Sequence, residues 1–386
     1  MTASLRIVGG VDATGAHCEV TIIDGVVAPP DASGTGTGTG TGEPAEVLDA
    51  TGLTVLPGLI DAQVNGAVGR DLTAAPESLW EVARALVQYG VTAFVPTVIT
   101  SSPEAREDAL EVLAAGPPPG WAGAVPLGLH FEGPMIAAAR KGAHPAQWLT
   151  APSLDVVAEW SRVNGVLMVT IAPELPGAIE VIGALAGRGV VVSVGHTEAT
   201  TAQVDAAVAA GARLLTHLGN AMPPMLGREA GPVGHALGGD ALTAGVITDG
   251  HHLDPLMINA AWRALQPGDR FLTVTDTTAA LGIPDGPAVL GDQDVVVADG
   301  TVRLGDGTLA GSAASLSQCL RVLRAATGAT LAEAVATCTA VPARLLDALD
   351  RGHLQSGARG DVTVVDDGLE VIATIVGGRL VFGKDA

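Results

Sequence analysis

The sequence predicts an α/β fold: a (β/α)8 barrel carrying a small β unit made from both ends of the chain. Three observations carry that expectation. Apolar runs of strand length, most followed by a helical pattern, recur eight times in the middle of the chain. Both ends show a different rhythm of short alternating strands and turn glycines. Polar side chains collect at the carboxyl ends of the central runs, where a barrel gathers its loops into one funnel. A doubly wound sheet is the structural rival, but it gives no reason for the third pattern.

Short strands are expected at 5–8, 19–23, 47–48 and 54–56, and again at 361–365, 371–375 and 379–382. Residues 1–56 and 359–386 are therefore assigned to the small domain, and 57–358 to the barrel. Glycine and threonine alternate over 34–42. The glycines fall only on even positions, so the third glycine of a dinucleotide fingerprint is always threonine, and the tract reads as a flexible loop. Barrel strands are expected at 55–62, 92–99, 125–131, 166–171, 190–194, 213–215, 244–248 and 271–275. Helical patterns cover 77–89, 103–114, 154–163, 177–186, 199–209, 255–265, 313–326 and 331–346.

Composition excludes several functions. With 386 residues, 48% of them hydrophobic, the chain can bury a large core, which excludes overall disorder. The net charge of −21 repels phosphodiester backbones and anionic bilayers, so neither nucleic acid nor membrane is an expected partner. A local basic pocket for a small anion stays open. The two lysines, Lys141 and Lys384, have neighbours that rule out a phosphate-binding Gly-Lys-Ser/Thr loop. Cys18, Cys319 and Cys338 are too few and scattered for a disulfide framework or a cysteine-based zinc site. No uncharged apolar run has the length of a membrane span, and the start lacks a signal-peptide layout. A cytoplasmic location is the expectation.

The rim residues form a constellation. Glu132, His196 and His217 end strands three, five and six. One carboxylate and two imidazoles suit a divalent metal with an open position for water. Asp276 ends strand eight, where a carboxylate beside an activated water can act as general base. Its alternative reading is a helix N-cap, weakened because no helical pattern follows directly. His144, in Lys141-Gly-Ala-His-Pro145, could polarise a carbonyl, although a plain surface histidine fits the spacing as well. Arg228 could clamp an anion with its guanidinium fork, or stand solvated at the surface.

Together these motifs resemble the amidohydrolase superfamily, and within it the N-acetylglucosamine-6-phosphate deacetylases. The matching segments run in order: Leu56-Pro-Gly-Leu-Ile-Asp-Ala-Gln-Val-Asn-Gly66, His130-Phe-Glu-Gly-Pro134, Lys141-Gly-Ala-His-Pro145 and Val194-Gly-His-Thr197. Then come Thr216-His-Leu-Gly-Asn-Ala-Met-Pro223, Gly227-Arg-Glu-Ala-Gly231, Thr248-Asp-Gly-His-His252, Val274-Thr-Asp-Thr-Thr278 and Leu309-Ala-Gly-Ser312. The resemblance implies a TIM-like barrel with a small β-sandwich built from both termini. It implies Glu132, His196 and His217 as ligands, Asp276 as acid/base, and His144 on the acetyl group. The phosphosugar would be held by Ala143, Asn220, Ala221, Arg228, His252, Leu309, Ala310 and Gly311. Arg228 would reach a neighbouring subunit's site, which implies a homodimer.

Two departures stand out. Many amidohydrolases carry His-x-His after strand one and bind a second metal there, whereas this chain has Gln63-Val-Asn65. Amides are poor ligands but good hydrogen-bond partners, so one divalent ion per subunit is expected, zinc first, then Fe2+, Co2+ or Mn2+, with Gln63 and Asn65 orienting water. Gly219 stands where a bulkier residue is usual. Other readings are deacetylation of the galactosamine epimer, hydrolysis of another N-acyl amide, and a non-catalytic sugar-phosphate binder. The complete ligand set with Asp276 argues against the last.

Overall fold

The computed structural model describes residues 4–30, 46–290, 293–298 and 300–384, so the Gly-Thr tract lies outside the described residues. Eight parallel strands form the barrel: Leu59–Val64, Val91–Ile99, Leu129–Glu132, Val166–Ile171, Val191–Val194, Ala212–Leu215, Thr243–Ile247 and Phe271–Val274. Ladders join successive strands from the first to the eighth. Strands one and eight meet differently: among the described residues they share one isolated bridge, Val64 to Thr277. Covered on both faces, the strands read as continuous apolar runs, as in Val166–Ile171, which is buried throughout.

The expected run 55–62 is divided. Thr54–Pro57 joins the terminal sheet by pairing antiparallel with Val362–Val365, and the barrel begins at Leu59. Gly58 makes the switch at close quarters, since a Cβ there would stand 2.2 Å from the Thr92 hydroxyl. The terminal strands are hydrogen-bonded as one eight-stranded sheet. Leu5, Ile7, Val20 and Ile22 from one end share a core with Val362, Val364, Ala373 and Ile375 from the other. Both ends of the chain therefore build one small β unit, as the sequence predicts.

The helical layer differs from expectation in three places. Residues 154–163 form turns, not a helix. The Arg188 guanidinium donates to the carbonyls of Val157 and Ala158, and the Asn164 amide to that of Glu159. Those are carbonyls a helix would give to its own amides four residues on. The run 331–346 breaks into Leu331–Ala336 and Ala340–Leu345. Pro342 has no N–H for the Cys338 carbonyl, which accepts the Ile60 amide of strand one instead, at 2.8 Å. Gly231–Gly238 is a helix that glycine-rich sequence hides, with proline in its first turn.

After strand eight the chain makes an antiparallel insert that periodicity did not reveal: Gly286–Leu290, Gln293–Ala298, Thr301–Leu304 and Leu309–Ser312. Val295, Val297 and Val302 pack with Ala280 and Ala310. The insert brings Leu309 back to the mouth of the barrel. Among the described residues no helix is long and apolar enough to cross a membrane.

Candidate active site

The carboxyl ends of the strands line a cavity of about 370 Å3. Glu132 closes strand three, while His196 and His217 stand just past strands five and six. Glu132 Oε1 lies 3.1 Å from each histidine Nε2, and the two Nε2 atoms are 3.1 Å apart. All three residues are buried. A tetrahedral ion with ligands at about 2.0–2.1 Å would separate them by about 3.3 Å, so the triangle fits such an ion. The tautomer fits too. His196 Nδ1 faces the Arg140 carbonyl at 2.7 Å, which must accept, so Nε2 presents its lone pair. Burial raises the Glu132 carboxyl, but the two imidazoles beside it outweigh that and hold it well below its ordinary range.

Asp276 stands across the cavity floor, past strand eight. Its Oδ1 accepts from Asn65 Nδ2 at 2.7 Å and from Gln63 Nε2 at 3.1 Å. Gln63 also reaches Glu132 Oε1 at 3.3 Å, so one amide links Glu132 to the opposite carboxylate. Burial and the charge of Glu132 push the Asp276 pKa up to about 6. His196, His217 and Asp276 have φ of 46°, 27° and 51°. Three non-glycine residues in the left-handed region at one rim mark backbone strain held by the surrounding fold.

His144 follows strand three in a loop and is buried. Its Nδ1 accepts the Thr100 amide at 3.4 Å, which leaves the hydrogen on Nε2, 3.9 Å from Glu132 Oε2. Burial, then the charge of His196, holds its pKa well below the ordinary value, so the ring is a neutral donor. His252 lines the far wall, its Nδ1 2.7 Å from Asp249 Oδ2.

The structure brings most of the predicted residues to one place. Asn65, Glu132, Ala143, His144, His196, His217, Asn220, Ala221, His252, Asp276, Leu309, Ala310 and Gly311 all line the cavity. Gln63 is buried in its floor by the bonds given above. Arg228 is not brought there within one chain; it is exposed on a turn beside Met225 and Leu226, which are also exposed. Gly219 has φ +83°, and a Cβ on it would press on Leu253 at 3.2 Å, so glycine suits the local backbone. Sequence reasoning missed Arg140 and Thr100, which orient His196 and His144, and gave Asp249, which orients His252, no role beyond its place at the end of strand seven. The first acts through a carbonyl, which carries no side-chain signal.

A barrel with this rim defines a class. The amidohydrolase family model matches residues 54–381, and the chain belongs to that family. It is a hydrolase of amide C–N bonds. Among relatives, the chain is 39% identical to the N-acetylglucosamine-6-phosphate deacetylase of Homo sapiens over 88% of this chain and 86% of that protein. It is 34% identical to the Lysinibacillus sphaericus enzyme of the same name, over 86% and 87%. A solved Mycobacterium smegmatis deacetylase mutant in complex with N-acetyl-D-glucosamine 6-phosphate is 33% identical, with TM-score 0.85, covering 98% of this chain and 99% of that one. These likenesses place the chain among the N-acetylglucosamine-6-phosphate deacetylases.

Proposed function

We propose that this chain hydrolyses the acetamide of N-acetyl-D-glucosamine 6-phosphate to D-glucosamine 6-phosphate and acetate, in amino-sugar catabolism or recycling. The observation that carries the reading is the cavity itself: Asp276, tied down on one oxygen, faces the Glu132, His196 and His217 triangle. Those three residues would hold one divalent ion, zinc first given the nitrogen and carboxylate donors, with Fe2+, Co2+ or Mn2+ as alternatives. When bound, the ion supplies Lewis acidity that polarises the acetyl carbonyl and acidifies water.

The chain's own groups do the rest. Asp276 takes the attacking water's proton and returns it to the leaving amine, with a pKa near enough to neutrality for both. Asn65 and Gln63 hold its Oδ1, leaving Oδ2 for the proton. His144 donates Nε2–H to the acetyl oxygen as negative charge develops there. Asn220, Ala221, Ala143 and the turn Leu309, Ala310 and Gly311 seat the sugar. His252 and Arg228 hold the phosphate. Arg228, exposed and absent from the lining of its own cavity, serves that of a neighbouring copy, which makes the working unit a homodimer; its location is the cytoplasm. The division into a small domain (1–56 with 359–386) and a barrel domain (57–358) belongs to the same reading.

The test compares kcat/KM for N-acetylglucosamine 6-phosphate and unphosphorylated N-acetylglucosamine on metal-reconstituted protein. A preference for the phosphate of at least a hundredfold supports the reading. Equal rates on both, or activity on neither, overturns it.

A further inference from the structure

Asp61 is fully buried inside the barrel, two residues before Gln63, and the reaction as described makes no use of it. A buried carboxyl is costly unless its oxygens are satisfied. Here both are. Oδ2 accepts the Thr275 hydroxyl at 2.6 Å, and Oδ1 accepts the backbone amides of Thr275 and Gln63, each at 3.3 Å. Thr275 is the residue before Asp276. The carboxyl of strand one therefore grips the end of strand eight through both backbone and side chain.

The grip falls where the barrel lacks a ladder. Lower in the seam, among the described residues, strands one and eight do not bond to each other. Ile60 donates its amide to the Cys338 carbonyl at 2.8 Å, and Thr273 to the Thr337 carbonyl at 3.1 Å. Higher up, contact resumes with the Val64 to Thr277 bridge, the Asn65 amide on the Thr277 carbonyl at 2.7 Å and a longer bond from the Thr275 hydroxyl to the Gln63 carbonyl at 3.4 Å. Between these levels Asp61 spans the two strands. The Thr275 hydroxyl then accepts the Thr277 amide at 3.1 Å, so the same contact shapes the turn that carries Asp276 at positive φ.

We propose that Asp61, acting through Thr275, is a positioning residue for Asp276: its carboxyl replaces the missing ladder between strands eight and one and sets the distance from Asp276 to Gln63 and Asn65. Resting on the deacetylase reading, this adds a residue that touches neither substrate nor metal ligands yet governs the proton-transfer step. Its signature is a loss in kcat at nearly constant KM and metal content. A neutral amide keeps the Oδ1 acceptor and offers a donor to the Thr275 hydroxyl, so Asp61→Asn should rescue what Asp61→Ala loses.

The test takes the full chain, metal-reconstituted, as parent, Asp61→Ala, Asp61→Asn and Thr275→Val, the last being the mildest change should Asp61→Ala fail to fold. Expected are a kcat at least tenfold lower in Asp61→Ala and at least threefold lower in Thr275→Val, with KM within threefold and one metal per chain. Asp61→Asn should stay within threefold of the parent. Deuterium uptake in peptides covering 59–66 and 271–278 should quicken at least tenfold in Thr275→Val and stay unchanged around His196 and His217. Turnover by Thr275→Val within twofold of the parent, or equal losses in Asp61→Ala and Asp61→Asn, would overturn the proposal. If the parent itself hydrolyses nothing, the deacetylase reading fails. The uptake pattern then decides the structural half alone, and uniform uptake sinks it.

Discussion

The two sides of the barrel rim are built by different means. On the ligand side, backbone does the holding. Glu132 lies in ladders with both Ile99 and Thr170, and the amides flanking His196 and His217 continue the pattern onto the carbonyls of Ile171, Val194 and Gly245. A chain of buried side chains runs below, from Thr97 through His130 and Thr170 to Thr216 and Ser193. On the opposite side, among the described residues, the ladder between strands one and eight is missing; the Asp276 carbonyl accepts the Ser312 amide at 3.0 Å, and its carboxylate is held by side chains, Gln63 and Asn65, with Asp61 acting through Thr275. The Glu132, His196 and His217 triangle and the Asp276 carboxylate can therefore be disturbed separately. Side-chain changes at the seam should reach the chemistry and leave the ion in place.

Breaking the ligand side should have the largest effect. His196→Ala or chelation of the metal removes ion and turnover together, and activity should fall by on the order of 10³-fold or more and, for the chelated parent only, return on adding metal. Metal analysis beside the assay checks it; a metal-free protein with ordinary turnover would contradict it. Next is the phosphate end. Arg228→Ala and His252→Ala should each cut the preference for phosphorylated over plain sugar by on the order of tenfold to a hundredfold, as loss of a charge-assisted contact does. An unchanged ratio in the kinetic comparison would place the phosphate elsewhere.

The seam gives a smaller, pH-dependent effect. Burial pushes the Asp61 pKa up to about 7, with the hydrogen bonds of Thr275 and Gln63 opposing it. The folded chain therefore keeps a proton that the unfolded chain has released above about pH 4. Stability from this group is full below that pH. It then declines by about 1.4 kcal/mol for each pH unit, until the folded carboxyl has also lost its proton as pH rises through 7. Asp61→Asn should flatten the decline, so its melting temperature should gain on the parent from pH 5 to pH 8. A constant difference across that range would contradict it. The smallest effect lies away from both sides. Thr330 and Glu333 cap the helix Leu331–Ala336 reciprocally. Thr330→Ala should cost about 1 kcal/mol in denaturant unfolding, with kcat and KM unchanged.

Much of the rim was legible in sequence, because a parallel barrel writes each strand as a buried run that ends in its functional residue. Glu132 after Phe131, His217 after Thr216 and Asp276 after Thr275 follow that pattern directly. The seam was not legible. Asp61 reads as one more polar residue beside Gln63 and Asn65, and its partner lies 214 positions away. Long-range partners also decided the helices. Arg188 takes the carbonyls that a helix over 154–163 would need, and the break before Pro342 is used by strands one and eight. In the insert from Gly286 to Ser312, Val295 and Val297 are buried while Val296 between them is exposed, so its antiparallel strands lack the continuous buried apolar runs of the barrel. Arg228 was legible as a candidate, but its distance from the cavity within one chain was not.

The most direct measurement is on Asp276→Asn, with metal content and turnover of N-acetylglucosamine 6-phosphate read from the same sample. Expected are one metal per chain, substrate binding close to that of the parent, and a kcat lower by on the order of 10²–10⁴-fold, the range of a lost general acid/base. Turnover close to the parent's, or loss of the metal along with activity, would contradict the assignment of Asp276 as the proton carrier.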